Sequence, residues 1–272
     1  KTIDIIKDKE IDWIIIDHYN IDYKWENMIK PYVKNIMVID DYTNRKHDCN
    51  ILLNQQIDVD LGKKLYKNIV NNDCKLLLGN KYIIFNKKFF DILKNLKKKN
   101  ELKRINIFMG GSDPNNITLN IIKICNNLNK KLENKLIFDI IVGKSNKYKD
   151  IISEECKKLK NFNYFYNLPF IGNILMKADL CIGAAGGTSY ERCLLRKPTL
   201  IILTADNQYT VIEKFINAKV GNFIGTIKDN YNNKLIRKIK YYLIYPEKLL
   251  EMSENCKKIC NKNNYSNFEN IL

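Results

Sequence analysis

Two histidines, five prolines, 11 glycines and two tryptophans are all that the 272-residue chain holds of those types. So little proline and glycine excludes the collagen-like and low-complexity classes. No apolar run comes near the roughly 18–20 residues that a membrane-spanning helix needs. The longest, such as Trp13–Ile16 and Leu200–Leu203, have the length of buried strands. No C-x-x-C pair occurs among Cys49, Cys74, Cys125, Cys156, Cys181, Cys193, Cys256 and Cys260, and only His18 and His47 are available to complete a ligand set. No metal or other cofactor is therefore expected, and the cysteines read as small core residues in a reduced, cytoplasmic compartment. Arginine is scarce too: Arg45, Arg104, Arg192, Arg196 and Arg237 stand against 41 lysines in a chain of net charge +16. Phosphate-reading surfaces lean on guanidinium forks. The charge is read as solvated lysine on helix backs, with neither nucleic acid nor membrane as a partner.

What the chain does have is apolar material, 45% of its residues, enough for two ordinary cores. Short apolar runs flanked by turn residues predict strands at Trp13–Ile16, Ile36–Ile39, Ile51–Leu53 and Lys75–Leu78, with helices over Asp22–Lys34 and Phe89–Lys99. The second part is more regular. Strands at Ile105–Met109, Phe138–Val142, Asn163–Phe165, Leu180–Gly183, Thr199–Leu203 and Asn222–Ile224 alternate with helical stretches, and the tail from Pro246 reads as one more helix. Alternation of this kind, with strands apolar throughout, means parallel sheets covered on both faces. The polar stretch Lys97–Lys103 is the expected linker, giving domains 1–101 and 102–272. The chain opens at Lys1 without Met, in what looks like a helix end leading directly into a strand, and a missing N-terminal segment is expected.

Ligands of such sheets sit at the carboxyl ends of the strands. The strand ending at Met109 leads into Gly110-Gly111-Ser112-Asp113-Pro114-Asn115-Asn116. Two glycines let backbone approach a ligand, and helix-start N–H groups suit a phosphate. Asp113 before Pro114 also reads as a plain helix cap. The strand ending at Gly183 leads into Ala184-Ala185-Gly186-Gly187-Thr188-Ser189-Tyr190-Glu191, in which Thr188 and Glu191 have capping-box spacing. A Gly/Thr/Ser turn is suited to cradle a diphosphate, and Glu191 to accept both hydroxyls of a ribose. Thr204 to Gln208, with Asn207, extend the same rim, again with a helix cap at Asp206 as the alternative. Asp17-His18-Tyr19 close the first strand, and Asp40-Asp41 the second. His18 is a candidate base.

These strings together resemble the UDP-sugar hydrolases of pseudaminic acid biosynthesis and their spore-coat-polysaccharide relatives. The matching pieces are Ile16–Tyr19, Asp40-Asp41, His47-Asp48-Cys49 through Asn54-Gln55, Met109–Asp113, Gly183–Cys193 and Ala205–Gln208. The resemblance implies a GT-B-like α/β fold, two Rossmann-like domains with parallel sheets facing a cleft, the N-terminal one incomplete. It implies cleavage of the anomeric C–O bond of UDP-2,4-diacetamido-2,4,6-trideoxy-β-L-altropyranose to UDP and free sugar. It places Asn116 and Glu191 on the substrate, beside Gly110, Gly111, Gly187, Thr188, Ser189, Asn207 and Gln208, and Tyr19 near the sugar. The family's Gly-x-Gly-His loop, which carries its catalytic base, has no match here, and Asn86 and Lys88 stand where the family has Arg and Glu. A GT-B glycosyltransferase using a UDP-sugar and a non-catalytic nucleotide-sugar binder are the competing readings. The sequence sets no oligomeric state.

Overall fold

The computed structural model describes residues 1–96, 101–205 and 208–260. The described residues are α/β throughout and form two compact units, 1–84 and 85–260, each built on one all-parallel sheet.

In the first unit α1 (Thr2–Ile6) precedes β1 (Trp13–Ile16), α2 (Tyr23–Ile29), β2 (Asn35–Ile39), β3 (Ile51–Asn54), α3 (Val59–Tyr66) and β4 (Lys75–Leu78). The strands lie in sequential order, β1-β2-β3-β4. Asp22 caps α2 by accepting the Lys24 N–H at 3.0 Å. The predicted helix over 22–34 stops early: a 3-10 turn, Lys30–Tyr32, replaces its end, because Pro31 has no N–H to continue the ladder. Helix α3 was not signalled by sequence, since Gly62 interrupts its pattern. That glycine has a packing reason, for a Cβ there would lie 2.9 Å from Leu78 Cδ1 of the neighbouring strand.

No helix joins β2 to β3. Two buried polar knots hold that connection instead. The Asp40 carboxylate accepts from Arg45 Nη2 at 2.6 Å, Tyr66 Oη at 2.9 Å and Thr43 N at 3.0 Å. Arg45 also donates to the carbonyls of His18, Tyr19 and Ile21, tying the end of β1 to the same loop. The second knot sets His47 Nδ1 2.7 Å from Glu26 Oε1, while Asp48 N–H donates to Glu26 Oε2 at 2.6 Å.

The second unit runs α4 (Lys88–Leu93), β5 (Arg104–Phe108), α5 (Ile117–Lys131), β6 (Ile137–Val142), α6 (Lys149–Lys158), β7 (Phe162–Tyr166), α7 (Gly172–Lys177), β8 (Leu180–Ala184), α8 (Thr188–Leu194), β9 (Thr199–Leu203), α9 (Tyr209–Asn217), β10 (Gly221–Thr226), α10 (Asn232–Ile244) and α11 (Glu247–Asn255). The helix predicted to reach Lys99 ends at Leu93, and most of the lysine run beyond it lies outside the described residues. The units divide upstream of the boundary expected after Glu101, because α4 packs on α7, with Phe89 and Phe170 edge to face at 4.8 Å. Strands β8 and β9 are buried along their whole length, which explains their unbroken apolar sequence.

Burial pushes the Asp40 carboxyl up, but the Arg45, Thr43 and Tyr66 bonds outweigh it and hold it below the usual carboxylate value. A depressed folded-state value stabilises above the unfolded-state value and stops doing so as pH falls through the folded one. Asp40→Asn, which strands Arg45, is therefore expected to cost the first unit about 3 kcal/mol at neutral pH. The deficit should shrink on acidification below about pH 4, as read by denaturant melts at several pH values; a deficit constant with pH counts against the assignment.

Candidate functional site

The second sheet has the order β10-β9-β8-β5-β6-β7. From β5 the chain winds one way to β7, and from β8 it winds the other way to β10. The carboxyl ends of β5 and β8, paired in parallel through Phe108 and Gly183, thus border the point where the order reverses. Loops leaving a sheet at such a point diverge and leave a crevice. Both glycine-rich turns emerge here. Together with Thr204, Ala205 and Gln208 after β9 they line a single cavity of about 410 Å³.

The turn after β5 is fixed from behind. Gly143, just past β6, packs so tightly on it that a Cβ there would overlap the Gly111 backbone. Gly110 takes a φ of +95°, and neither Gly110 nor Gly111 would meet any atom within 4 Å through an added Cβ. Asp113 does cap the helix that follows, but not as Asp-Pro spacing suggests. Helix α5 starts only at Ile117, after a left-handed Asn116, and Pro114 sits in the turn before it. The buried Asp113 carboxylate reaches forward to accept from Ile117 N at 3.0 Å and Thr118 N at 2.9 Å. These two helix-start N–H groups, expected to meet an anion, are satisfied internally. Asn116 is half-buried, and its Oδ1 has no hydrogen-bond partner.

The turn after β8 is arranged differently from its capping-box reading. Gly187 holds the N-cap, so Thr188 already lies inside α8, and the Thr188 hydroxyl bonds the Glu191 side chain rather than capping the helix. The N–H groups of Ser189 and Tyr190 donate to the carbonyls of Gly186 and Gly187 at 2.9 and 3.0 Å. Ser189 is fully buried; its hydroxyl donates to Ala184 O at 3.0 Å and accepts from Arg192 Nη2 at 3.0 Å. Burial pushes the half-buried Glu191 carboxyl above its ordinary value, against the opposing pull of Arg192 and Thr188.

Of the residues singled out by sequence, Gly110, Gly111, Gly187, Thr188 and Gln208 border the cavity. Gln208 is held by Thr204, whose N–H donates to Gln208 Oε1 at 3.1 Å while Gln208 Nε2 donates to Thr204 Oγ1 at 3.0 Å. Ser189, Glu191 and Asn116 are not among the residues that line it, and Asn207 falls outside the described residues. His18 and Tyr19 belong to the first unit, exposed at the end of β1. His18 Nδ1 accepts the Asn20 N–H at 3.1 Å, so a neutral ring carries its proton on Nε2 and offers a donor to solvent. The Tyr19 hydroxyl donates to Asp41 Oδ2 at 3.3 Å; partial burial and the Asp41 charge push the phenol up, keeping it protonated at neutral pH. Asp40 is taken up by Arg45, and the described residues contain no group of three or more His, Cys, Asp or Glu placed to hold a metal ion.

Sequence reasoning left out Arg192, which borders the cavity with its side chain fully buried. The signal was the rarity of arginine in a lysine-rich chain. Arg45, Arg104 and Arg192 each sit where several fixed bonds must be made at once, and a flexible ammonium serves that poorly.

No protein-family model matches the chain. Over 235 residues it is 24% identical to an uncharacterized protein of Methanocaldococcus jannaschii, MJ1062, covering 83% of this chain and 47% of that one. Over 210 residues it is 26% identical to the UDP-2,4-diacetamido-2,4,6-trideoxy-beta-L-altropyranose hydrolase of Campylobacter jejuni, covering 76% of this chain and 72% of that one. It is 27% identical over 251 residues to a Helicobacter pylori protein named as both pseudaminic acid cytidylyltransferase and that hydrolase, covering 88% of this chain and 44% of that one. The chain thus spans about half the length of two of these relatives. Among solved structures it is similar to the pneumococcal O-GlcNAc transferase GtfA in complex with UDP and GlcNAc (TM-score 0.58, 10% identity, 95% of this chain and 56% of that one). It is also similar to WaaG, a glycosyltransferase of lipopolysaccharide biosynthesis (TM-score 0.52, 12% identity, 90% and 80%). The fold is the two-domain Rossmann-like fold of GT-B glycosyltransferases.

A carboxyl whose folded-state value is raised stabilises below its unfolded-state value, and the stability is lost as pH rises through the folded one. Ionised Glu191 therefore costs stability at neutral pH. Glu191→Gln is expected to raise the melting temperature at pH 7, with the gain vanishing by about pH 4; a variant less stable at both pH values would contradict this.

Proposed function

We propose that the second unit holds the diphosphate of a UDP-sugar in the cavity between the β5 and β8 turns, and that the chain serves hydrolysis of the sugar–phosphate bond. The observation that carries the reading is the convergence of two glycine turns, one on each side of the strand-order reversal, on one cavity bordered by a buried arginine. The two hydrolase relatives support it, as does the GT-B fold.

In this reading the open backbone at Gly110, Gly111 and Gly187 takes the diphosphate, and Glu191 accepts the ribose hydroxyls. Water adds to the anomeric carbon. The bond from that carbon to the β-phosphoryl oxygen breaks, its electron pair leaves with UDP, and the proton of the water passes to a base. Stabilising the negative charge that grows on the leaving UDP is the contribution of the turns. The substrate is UDP-2,4-diacetamido-2,4,6-trideoxy-β-L-altropyranose, and its nucleotide lies in the second unit. Tyr19 and His18 are the candidate catalytic residues, on the strength of the family resemblance alone.

The fold neighbours favour one other reading, transfer of the sugar to an acceptor. Incubation with that UDP-sugar in ¹⁸O-labelled water separates the two. Hydrolysis by C–O cleavage puts the label in the free sugar and none in UDP, without any acceptor. UDP release that requires an added acceptor alcohol makes the chain a transferase, and UDP binding without release under either condition makes it a binder. Glu191→Gln is expected to weaken UDP binding by about tenfold, the worth of a hydrogen bond to a charged group, and unchanged affinity would remove Glu191 from the site.

A further inference from the structure

Arg192 is the only basic residue among the described residues that border the cavity, and Asp113 the only acidic one. Its guanidinium is fully buried. One nitrogen, Nη2, donates to Ala184 O at 2.5 Å and to Ser189 Oγ at 3.0 Å, while Nε and Nη1 have no hydrogen-bond partner. Arg45 and Arg104 each rest on a buried aspartate, Asp40 and Asp139, at 2.6 and 2.9 Å. Arg192 has no such partner. The Glu191 charge is felt from the next position in the chain, without an ion pair between them. A buried guanidinium stays protonated, and without a counter-charge its desolvation goes uncompensated.

The fold makes deliberate room for it. A Cβ on Gly183 would fall on the guanidinium and lie 2.6 Å from Phe108 O, so glycine at the end of β8 is what lets Arg192 lie there. Four of the N–H groups at the two helix starts are meanwhile spent. Ile117 and Thr118 N–H are taken by Asp113, and Ser189 and Tyr190 N–H by turn carbonyls. Among the side chains described as lining this cavity, Arg192 alone offsets the Asp113 carboxylate that an anion would meet.

We propose that Arg192 is the positioning residue that makes this cavity select a diphosphate, by supplying behind the β8 turn a charge that Ala184 O and Ser189 Oγ hold in place. The inference rests on the nucleotide reading above and deepens it: the ligand owes its selection to the doubly charged diphosphate more than to the nucleoside.

The test is titration calorimetry of UDP, UMP and uridine against wild type, Arg192→Lys, Arg192→Gln and Gly183→Ala, each checked for folding by circular dichroism. Arg192→Gln is expected to weaken UDP by about tenfold or more, the worth of a charge-assisted bond, with uridine affinity unchanged. Arg192→Lys, which keeps the charge but not its fixed placement, should recover part of the UDP preference lost in Arg192→Gln. Gly183→Ala keeps the charge but displaces it, and should lose that preference; it decides the matter if the Gln variant fails to fold. A merely structural Arg192 would lower UDP and uridine affinity together, and a UDP-to-uridine ratio unchanged in the folded variants overturns the inference. Wild-type protein that binds no UDP sinks the nucleotide reading itself, a result distinct from wild type that binds UDP while the variants keep its preference.

Discussion

The parallel pairing of β5 with β8 is the constraint on which the second unit depends. It joins two strands far apart in sequence and reverses the strand order between them. Two loops that would otherwise run over separate parts of the surface are thereby forced to leave the sheet side by side. The pairing also explains the glycines. Gly143 lets the first turn sink against the next strand, and Gly183 lets a side chain from α8 lie flat across the end of β8. Each glycine is set by a close approach from another element, not by the needs of its own strand.

Charge is distributed with similar economy. Most of the +16 is lysine, whereas the arginines with the most fixed contacts lie at strand ends. Arg45 joins the ends of β1 and β2, and Arg104 holds Asp139 across β5 and β6 through both carboxylate oxygens. Both neutralise a buried aspartate. Arg192 shares their burial without their counter-charge, and an unbalanced buried charge in the wall of a cavity is a feature that a ligand of opposite sign would complete.

Much of the architecture was legible because it is local. Apolar runs such as Leu200–Leu203 must be buried on both faces, and their alternation with helices leaves a parallel sheet as the way to do so. The two glycine turns were legible for the same reason. Where local reading failed, a contact from elsewhere decided. Helix α3 was hidden by Gly62, which is there to approach Leu78. The Thr188–Glu191 spacing of a capping box is present, yet Gly187 takes the cap and moves Thr188 into the helix. Asp113 caps α5 from beyond the usual distance, because a left-handed Asn116 turns the chain between them.

The sequence alone determined the class of fold, the strand and helix succession, and the two turns suited to an anion, since all of these follow from periodicity and from residues adjacent in the chain. Tertiary structure alone decided that the turns share one cavity, that the first N–H groups of α5 are occupied by Asp113, and that an arginine is left buried without a counter-charge behind the second turn. The reason is physical. Strand order and the direction of a side chain across a neighbouring glycine are set by contacts between segments distant in sequence, and no local pattern encodes them.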